Sequence, residues 1–331
     1  MSSNDRVVDG RPGPGPLVAL ALGAGLLVLL IGTSVESAVI AAFRPTGGEL
    51  KWVSDVVASS AAAALTYLTL RLGAARSQVI DLERSRIVLD EELRVAAEIQ
   101  RRLLPAIPAE LLGCRWCARM VPAHEVGGDF YDFLALSGEA VLVMLGDVSG
   151  KGIPAALLQS ALKTLFRVHA SSTTDLPTMA ARMSAGLREE TGGAPYATAI
   201  LARFDRAPAR MTFVNAGHPP GFLVRDAAPI ALASTGLPLG LWPDAKYEAL
   251  SLDLYPGDLG VFVTDGVTEA LEGGTFSFRD ALKQSVRVGL KEPADLCAYL
   301  LRVAGEGPGP IGAGDWEDDR TALAFSVLHT R

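Results

Sequence analysis

Leu145-Gly146-Asp147-Val148-Ser149-Gly150-Lys151-Gly152-Ile153-Pro154-Ala155-Ala156-Leu157-Leu158 is the stretch on which the fold turns. The apolar run Ala140–Leu145 leads into it and reads as a strand; Ile153–Ala170, opened by Pro154, reads as a helix. Between them stand an Asp and three glycines. The spacing is wrong for a phosphate loop: only three residues separate Gly146 from Gly150, and Gly152 follows Lys151 where Ser or Thr would hold Mg2+. Ser149 is not in a G-x-S-x-G elbow, so it is no activated nucleophile. What remains is a carboxylate at a strand end, beside glycines that let backbone approach a ligand closely.

The same pattern recurs in Val126-Gly127-Gly128-Asp129, in Val263-Thr264-Asp265-Gly266, and in Asp318-Asp319 leading into Thr321–Val327. Each Asp alone is an ordinary turn or cap residue. Gathered at strand ends without His or Cys, such carboxylates repel one another unless cations fill the gap. All-oxygen ligation selects hard ions, Mg2+ or Mn2+, over zinc. Two such ions sharing a carboxylate can hold a hydroxide and clamp a phosphoryl group. Further strands are expected at Tyr196–Phe204, Met211–Val214, Gly221–Val224, Gly260–Val263 and Thr321–Leu328, and helices at Thr178–Thr191, Phe278–Gly289 and Ala294–Ala304. Strands and helices that do not alternate strictly point to α+β layers.

Five runs occur in order, VGGDFYDF, GDVSGKGIPAALL, NAGHPP, TDGVTEA and DDRTALAF, with AAEIQRRLLP just upstream. Together, over roughly Ala96 to Val327, they resemble the SpoIIE/RsbU-type branch of the PPM class, the bacterial metal-dependent serine/threonine protein phosphatases. The resemblance implies a central β-sandwich flanked by helices, with two divalent cations, Mn2+ or Mg2+, at one end. Carried over motif by motif, Asp129, Asp147, Asp265, Asp318 and the Val148 carbonyl hold the metals, with Asp147 as the bridge. Asp319 is left to support the site or cap the strand. The implied activity is hydrolysis of phosphoserine or phosphothreonine by a hydroxide on the metals. The implied substrate is a phosphorylated STAS-type anti-sigma-factor antagonist (an anti-anti-sigma factor) in a partner-switching pathway. The readings from other classes are a non-catalytic membrane signalling scaffold with a phosphatase-like fold and a metal phosphohydrolase of small molecules. The four intact carboxylates argue against the scaffold.

Lys plus Arg is 30 and Asp plus Glu 37, a net charge of −7 that argues against nucleic acid as a partner. Three cysteines exclude a disulfide scaffold, and Cys114-x-x-Cys117 has no second pair with which to hold zinc. His218 of NAGHPP reads as a packed turn histidine near the site; His124, His169 and His329 carry no pattern.

Upstream of all this the chain is apolar. Residues 12 to 70 carry only five charged side chains, Glu36, Arg44, Glu49, Lys51 and Asp55. About 20 apolar residues span a bilayer, so two transmembrane helices are expected, near 17–43 and 53–72, after a tail at 1–16. Arg6 and Arg11 precede them and Arg71, Arg76, Arg84 and Arg86 follow, which places both ends, and the phosphatase-like domain at 105–331, in the cytoplasm of a multi-pass membrane protein. The linker at 73–104 reads as one helix, Ala75–Leu104, closed by Pro105. Leu82, Leu89, Ala96 and Leu103 recur every seven residues, with Val79, Arg86, Leu93 and Gln100 between them. That is a coiled-coil-like seam with two polar interruptions, read either as a homodimer through residues 79–103 or as a solvated helix lying on the following domain.

Overall fold

Alternation along the strands builds the core. In β4 (Ala140–Val148), Val141, Val143 and Leu145 face one way and Leu142, Met144 and Val148 the other, all of them buried. In β5 (Ala197–Arg206), Ile200, Ala202 and Phe204 oppose Ala199 and Leu201 in the same manner. Strands buried on both faces belong inside a layered structure. The computed structural model that shows this describes residues 34, 37–38, 49–136, 138–173, 175–207, 209–272, 277–305 and 318–328.

β4 and β5 lie within a five-stranded antiparallel sheet of order β3-β4-β5-β6-β9, with β3 at Asp129–Leu136, β6 at Ala209–Ala216 and β9 at Leu250–Asp253. A six-stranded antiparallel sheet has the order β1-β2-β11-β10-β7-β8. Its members are β1 (Glu110–Leu111), β2 (Cys114–Val121), β7 (Gly221–Arg225), β8 (Ala228–Leu232), β10 (Leu259–Val263) and β11 (Arg320–Val327). The two inner faces meet through Trp116, Phe133, Phe204, Phe213, Phe262 and Phe325. Trp116 packs edge-on against Phe204, with ring centroids 4.7 Å apart, a favoured aromatic geometry. Helices cover the outer faces. α2 (Ile153–Ser172) and α3 (Leu176–Thr191) lie on the first sheet through Leu162, Phe166, Met179 and Met183. α4 (Asp265–Glu272), α5 (Phe278–Arg287) and α6 (Pro293–Gly305) lie on the second through Val267, Leu282, Leu296 and Leu300. The result is the α+β sandwich flanked by helices that the motifs imply.

The N-terminal part differs from expectation. The first expected span, 17–43, lies outside the described residues apart from Ser34, Ser37 and Ala38. The second expected span and the linker are one uninterrupted helix, α1 (Glu49–Leu103). Gly73 does not break it, because a single helical glycine is unfavourable by only about 1 kcal/mol. Among the described residues, its portion Asp55–Leu103 is the one helix long and apolar enough to cross a membrane. Contacts divide the chain into two units at Leu89/Asp90, and the whole sandwich lies in the second.

One buried charge inside the first sheet is neutralised locally. Asp132 of β3 is fully buried, and Arg167 of α2 grips both its oxygens, Nε to Oδ2 at 2.7 Å and Nη2 to Oδ1 at 2.8 Å. Removing the guanidinium strands that carboxylate. Arg167→Leu should therefore lower unfolding stability by about 2–3 kcal/mol, the range for hydrogen bonds to charged groups. Urea denaturation of the variant checks this, and an unchanged midpoint would mean that Asp132 finds another partner.

Candidate metal centre

The inner faces that make the aromatic core run out, at one end, into oxygen atoms. On β3, Phe133 and Tyr131 are followed at the same two-residue step by Asp129; on β4, Leu145 is followed by Asp147; on β5, Ile200 by Thr198. The second sheet does likewise, Phe262 giving way to Thr264 and Leu323 to Thr321. Register aligns them. Asp129 lies directly opposite Asp147, and Asp147 directly opposite Thr198.

Asp129 is the anchor. Its side chain is buried, and its Oδ2 accepts hydrogen bonds from Thr264 Oγ1 at 2.7 Å and Thr321 Oγ1 at 2.6 Å, one from each of two strands or strand ends in the facing sheet. Burial, and then the charge of Asp147, hold its carboxyl well above the usual carboxylate range, against the pull of the two hydroxyls. Asp147 is half-buried. Burial first, then the charges of Asp265, Asp318 and Asp319, push it up to about 8. Asp265 opens α4; burial and the charge of Asp318 raise it as well, while the Gly266 amide, donating to its Oδ1 at 2.9 Å, lowers it.

Asp318 and Asp319 stand just before β11 rather than in it, so strand alternation does not separate them. Their surroundings do. Asp319 is buried; its Oδ1 accepts from the Ala123 amide at 2.8 Å and its Oδ2 from the Asp129 amide at 3.5 Å. Asp318 is half-exposed, accepts from the Asp319 amide at 3.0 Å, and acts on both Asp147 and Asp265.

The glycine pair is explained by what it lies against. A Cβ on Gly127 would come within 1.8 Å of Asp319 Oδ2. A Cβ on Gly128 would lie 2.6 Å from Asp147 Oδ1 and 2.8 Å from the Val148 carbonyl oxygen. All three distances are below any real contact, so the two glycines leave the space in which these oxygens stand.

All five sequence-expected ligands therefore come to one end of the sandwich. Among the described residues, no three acidic, His or Cys side chains already converge within ligating distance of a common point; the carboxylates hold apart. The donor set still fits hard divalent cations. It is all oxygen, it carries mutually repelling charge that a cation would relieve, and glycine keeps Asp147 and the Val148 carbonyl clear. Sequence reasoning missed Thr264 and Thr321, which orient Asp129, and Gln100 of α1. The Gln100 amide donates to the Gly127 carbonyl at 2.8 Å and accepts from the Gly127 amide at 3.3 Å. Ser149 Oγ accepts from the Tyr196 amide at 2.9 Å, a structural role.

Comparison with known proteins follows the same lines. The family model described as Stage II sporulation protein E (SpoIIE) matches residues 137–328, more than half of the chain. The chain is 28% identical to the phosphoserine phosphatase RsbU of Bacillus subtilis over 200 residues, covering 60% of this chain and 59% of RsbU. It spans less than two thirds of each curated relative it is compared with. Among solved structures, the RsbU and RsbW domains of a Mycobacterium tuberculosis protein superpose with a TM-score of 0.56 at 27% identity, over 69% of this chain and 64% of that one. The SiaA-PP2C domain of Pseudomonas aeruginosa gives a TM-score of 0.62 at 23% identity, over 73% and 98%, and shares the fold.

Two outcomes follow from the electrostatics. Because ionisation of Asp147 is disfavoured in the fold, the ion-free protein has its full stability below the ordinary carboxylate value of 3.8 and loses it as pH rises through about 8. Asp129 and Asp265 act in the same direction. The melting temperature in EDTA should therefore fall between about pH 5 and pH 8, and millimolar Mn2+ should remove the fall. A flat profile in EDTA would show that these carboxylates do not share a site. Asp318→Asn removes a repelling charge, so the ion-free protein should melt no lower, while calorimetric Mn2+ affinity drops more than about a hundredfold, beyond what supporting residues produce. Asp319→Asn faces two backbone N–H groups with an amide; it should lose about 1–3 kcal/mol in urea and keep Mn2+ affinity within about tenfold. The reverse pattern would exchange the roles of the two residues.

Proposed function

The chain belongs to the SpoIIE family, and from that premise we propose that it is a metal-dependent phosphatase that hydrolyses phosphoserine or phosphothreonine on a protein. The observation that carries this reading is the placing of Asp129 and Asp147 on the first sheet, and of Asp265 and Asp318 beside strands of the second, at one end of the sandwich, where their charges raise one another's carboxyl pKa. Two divalent cations, Mn2+ or Mg2+, held by these carboxylates and the Val148 carbonyl, would supply an activated water and neutralise phosphoryl oxygens. The chain's own part is positional. Thr264 and Thr321 fix the Asp129 carboxylate, and Asp319 fixes the backbone on either side of the glycine pair. Ser149 accepts from the Tyr196 amide, which ties the glycine-rich turn after β4 to the chain entering β5.

The substrate we propose is a phosphorylated STAS-type anti-anti-sigma factor in a partner-switching pathway. Support comes from the motif resemblance and from the likeness to RsbU, itself named a phosphoserine phosphatase. We further propose that α1 anchors the protein in the cell membrane with the catalytic unit in the cytoplasm, as the apolar portion of α1 and the Arg asymmetry around it support. A first span at 17–43 would complete a hairpin. Leu82, Leu89 and Leu103 are exposed along α1, which supports pairing of two copies through residues 79–103. A change of register in that pair would reach the site through Gln100 and its two bonds to Gly127.

Purified full-length protein in detergent, given Mn2+, should release phosphate from a seryl-phosphorylated protein at least about a hundredfold more efficiently than from free phosphoserine, because remote contacts on the larger substrate can be used in the transition state. Asp147→Asn should abolish both. No Mn2+-dependent release from either substrate would sink the phosphatase reading, and a preference for phosphoserine would move it to a small-molecule hydrolase.

A further inference from the structure

The NAGHPP motif is not explained by metal ligation, yet it is built into the same end of the sandwich. Asn215, fully buried, is its hub. The Asn215 side chain accepts from the His218 amide at 2.8 Å and donates to the Leu232 carbonyl at 3.1 Å, while its backbone carbonyl accepts from the Thr235 and Gly236 amides. These bonds fix the corner where the chain leaves β6 in one sheet for β7 in the other, and the His218 backbone with it. The His218 side chain is almost fully buried, and its Nδ1 lies 2.9 Å from Thr198 Oγ1. Thr198 is the residue paired directly with Asp147 across β4 and β5, so the two side chains sit side by side on the inner face.

The tautomer follows from the surroundings. Burial holds the imidazole neutral, so one ring nitrogen carries a proton and the other a lone pair. Nε2 is buried and makes no full hydrogen bond among the described residues, and the backbone group that acts on the ring is the Val263 carbonyl. Nδ1 is already turned to Thr198, so we assign the Val263 carbonyl to Nε2, where a lone pair would be repelled by it and an N–H attracted. The proton therefore belongs on Nε2, Nδ1 is the acceptor, and the Thr198 hydroxyl donates to it. With its only proton committed, the Thr198 oxygen can serve the site beside Asp147 only as an acceptor.

We propose that His218 is a positioning residue: by accepting the hydrogen bond of the Thr198 hydroxyl at Nδ1 it fixes the Thr198 oxygen as an acceptor that orients the attacking water beside Asp147. The inference rests on the phosphatase reading above and adds to it a residue that touches neither ion nor substrate. Three variants test it in the full-length protein. Thr198→Val keeps the shape and removes the acceptor; it should lower kcat about tenfold, the scale of one net hydrogen bond, with KM and calorimetric Mn2+ affinity unchanged. His218→Phe should lower kcat by the same factor, and the double variant should be no worse than either alone, since both remove one interaction. His218→Asn, whose amide oxygen can accept at the Nδ1 position, should restore kcat to within about threefold of the parent. Nitrogen-15 shifts of the His218 ring should report the Nε2–H tautomer, with Nδ1 moving in Thr198→Val; this reading needs no turnover and survives any loss of activity. Multiplying losses in the double variant, an undiminished kcat in Thr198→Val, or an Nδ1–H tautomer would each overturn the proposal while the parent remains active. An inactive parent would fell the phosphatase reading, and this one with it.

Discussion

One carboxylate oxygen joins the two sheets at the end where the chemistry is placed. Asp129 Oδ2 accepts from Thr264 and from Thr321, and both hydroxyls belong to the sheet that Asp129 does not. Taking a carboxylate out of water is unfavourable by several kcal/mol, and two neutral hydroxyls offset only part of that. Asp147, directly opposite on β4, adds repulsion. The bond that closes the sandwich at this end is thus made by a group whose charge the fold disfavours. Closure of the sheets and the appetite for a cation are the same electrostatic fact seen from two sides.

The rest of the site is arranged around that anchor by the geometry of strands. Side chains that alternate across a pleated strand keep their face to the last residue. The inner face that packs Tyr131, Leu145, Ile200, Phe262 and Leu323 must, two residues on, present Asp129, Asp147, Thr198, Thr264 and Thr321 to the same interior. Nothing beyond the sandwich is needed to gather them. What does need a special residue is the approach of a further chain. Asp319 and the Val148 carbonyl crowd the space over residues 127 and 128, and only glycine leaves it open. The tightest glycine contacts of residues 127 and 128 therefore mark where side-chain and carbonyl oxygens crowd the backbone.

Much of this was legible in the chain. Long apolar runs such as Ala140–Leu145 declared themselves as strands because both faces are buried and no charge interrupts them, and the four Asp-bearing motifs located the site. The strand β3 was hidden because Asp132 stands in its middle, and the cation that grips this buried charge, Arg167, is 35 residues away. β2 was hidden by Arg115 and Arg119 between its apolar positions, and α4 by its eight-residue length, too short to show a helical period. Thr264 and Thr321 gave no signal of their own, since threonine in a strand is ordinary; only their places beside Asp265 and two residues after Asp319 set them apart. The continuity of α1 through Gly73 was likewise invisible, because a lone glycine weakens a helix without ending it.

The C-terminal end of α1 is where the helix becomes part of the sandwich unit, and three side chains account for it. Gln100 bonds both backbone groups of Gly127, and the same amide reaches Gln159 of α2. One turn further along α2, the buried Lys163 donates to the Leu103 carbonyl, the last of α1, where the helix dipole and an unpaired acceptor favour a cation. Burial lowers the Lys163 pKa while Asp132 raises it, so this ammonium is balanced between α1 and the Asp132–Arg167 pair. Gly127 in turn sits against the Asp319 carboxylate, which accepts from the Asp129 amide. A displacement of the last turn of α1 would pull on Gly127, whose two backbone groups are both bonded to Gln100. The path from Gln100 to the Asp129 amide passes through only Gly127 and Asp319, so the end of the long helix and the anchor of the two sheets are separated by two residues.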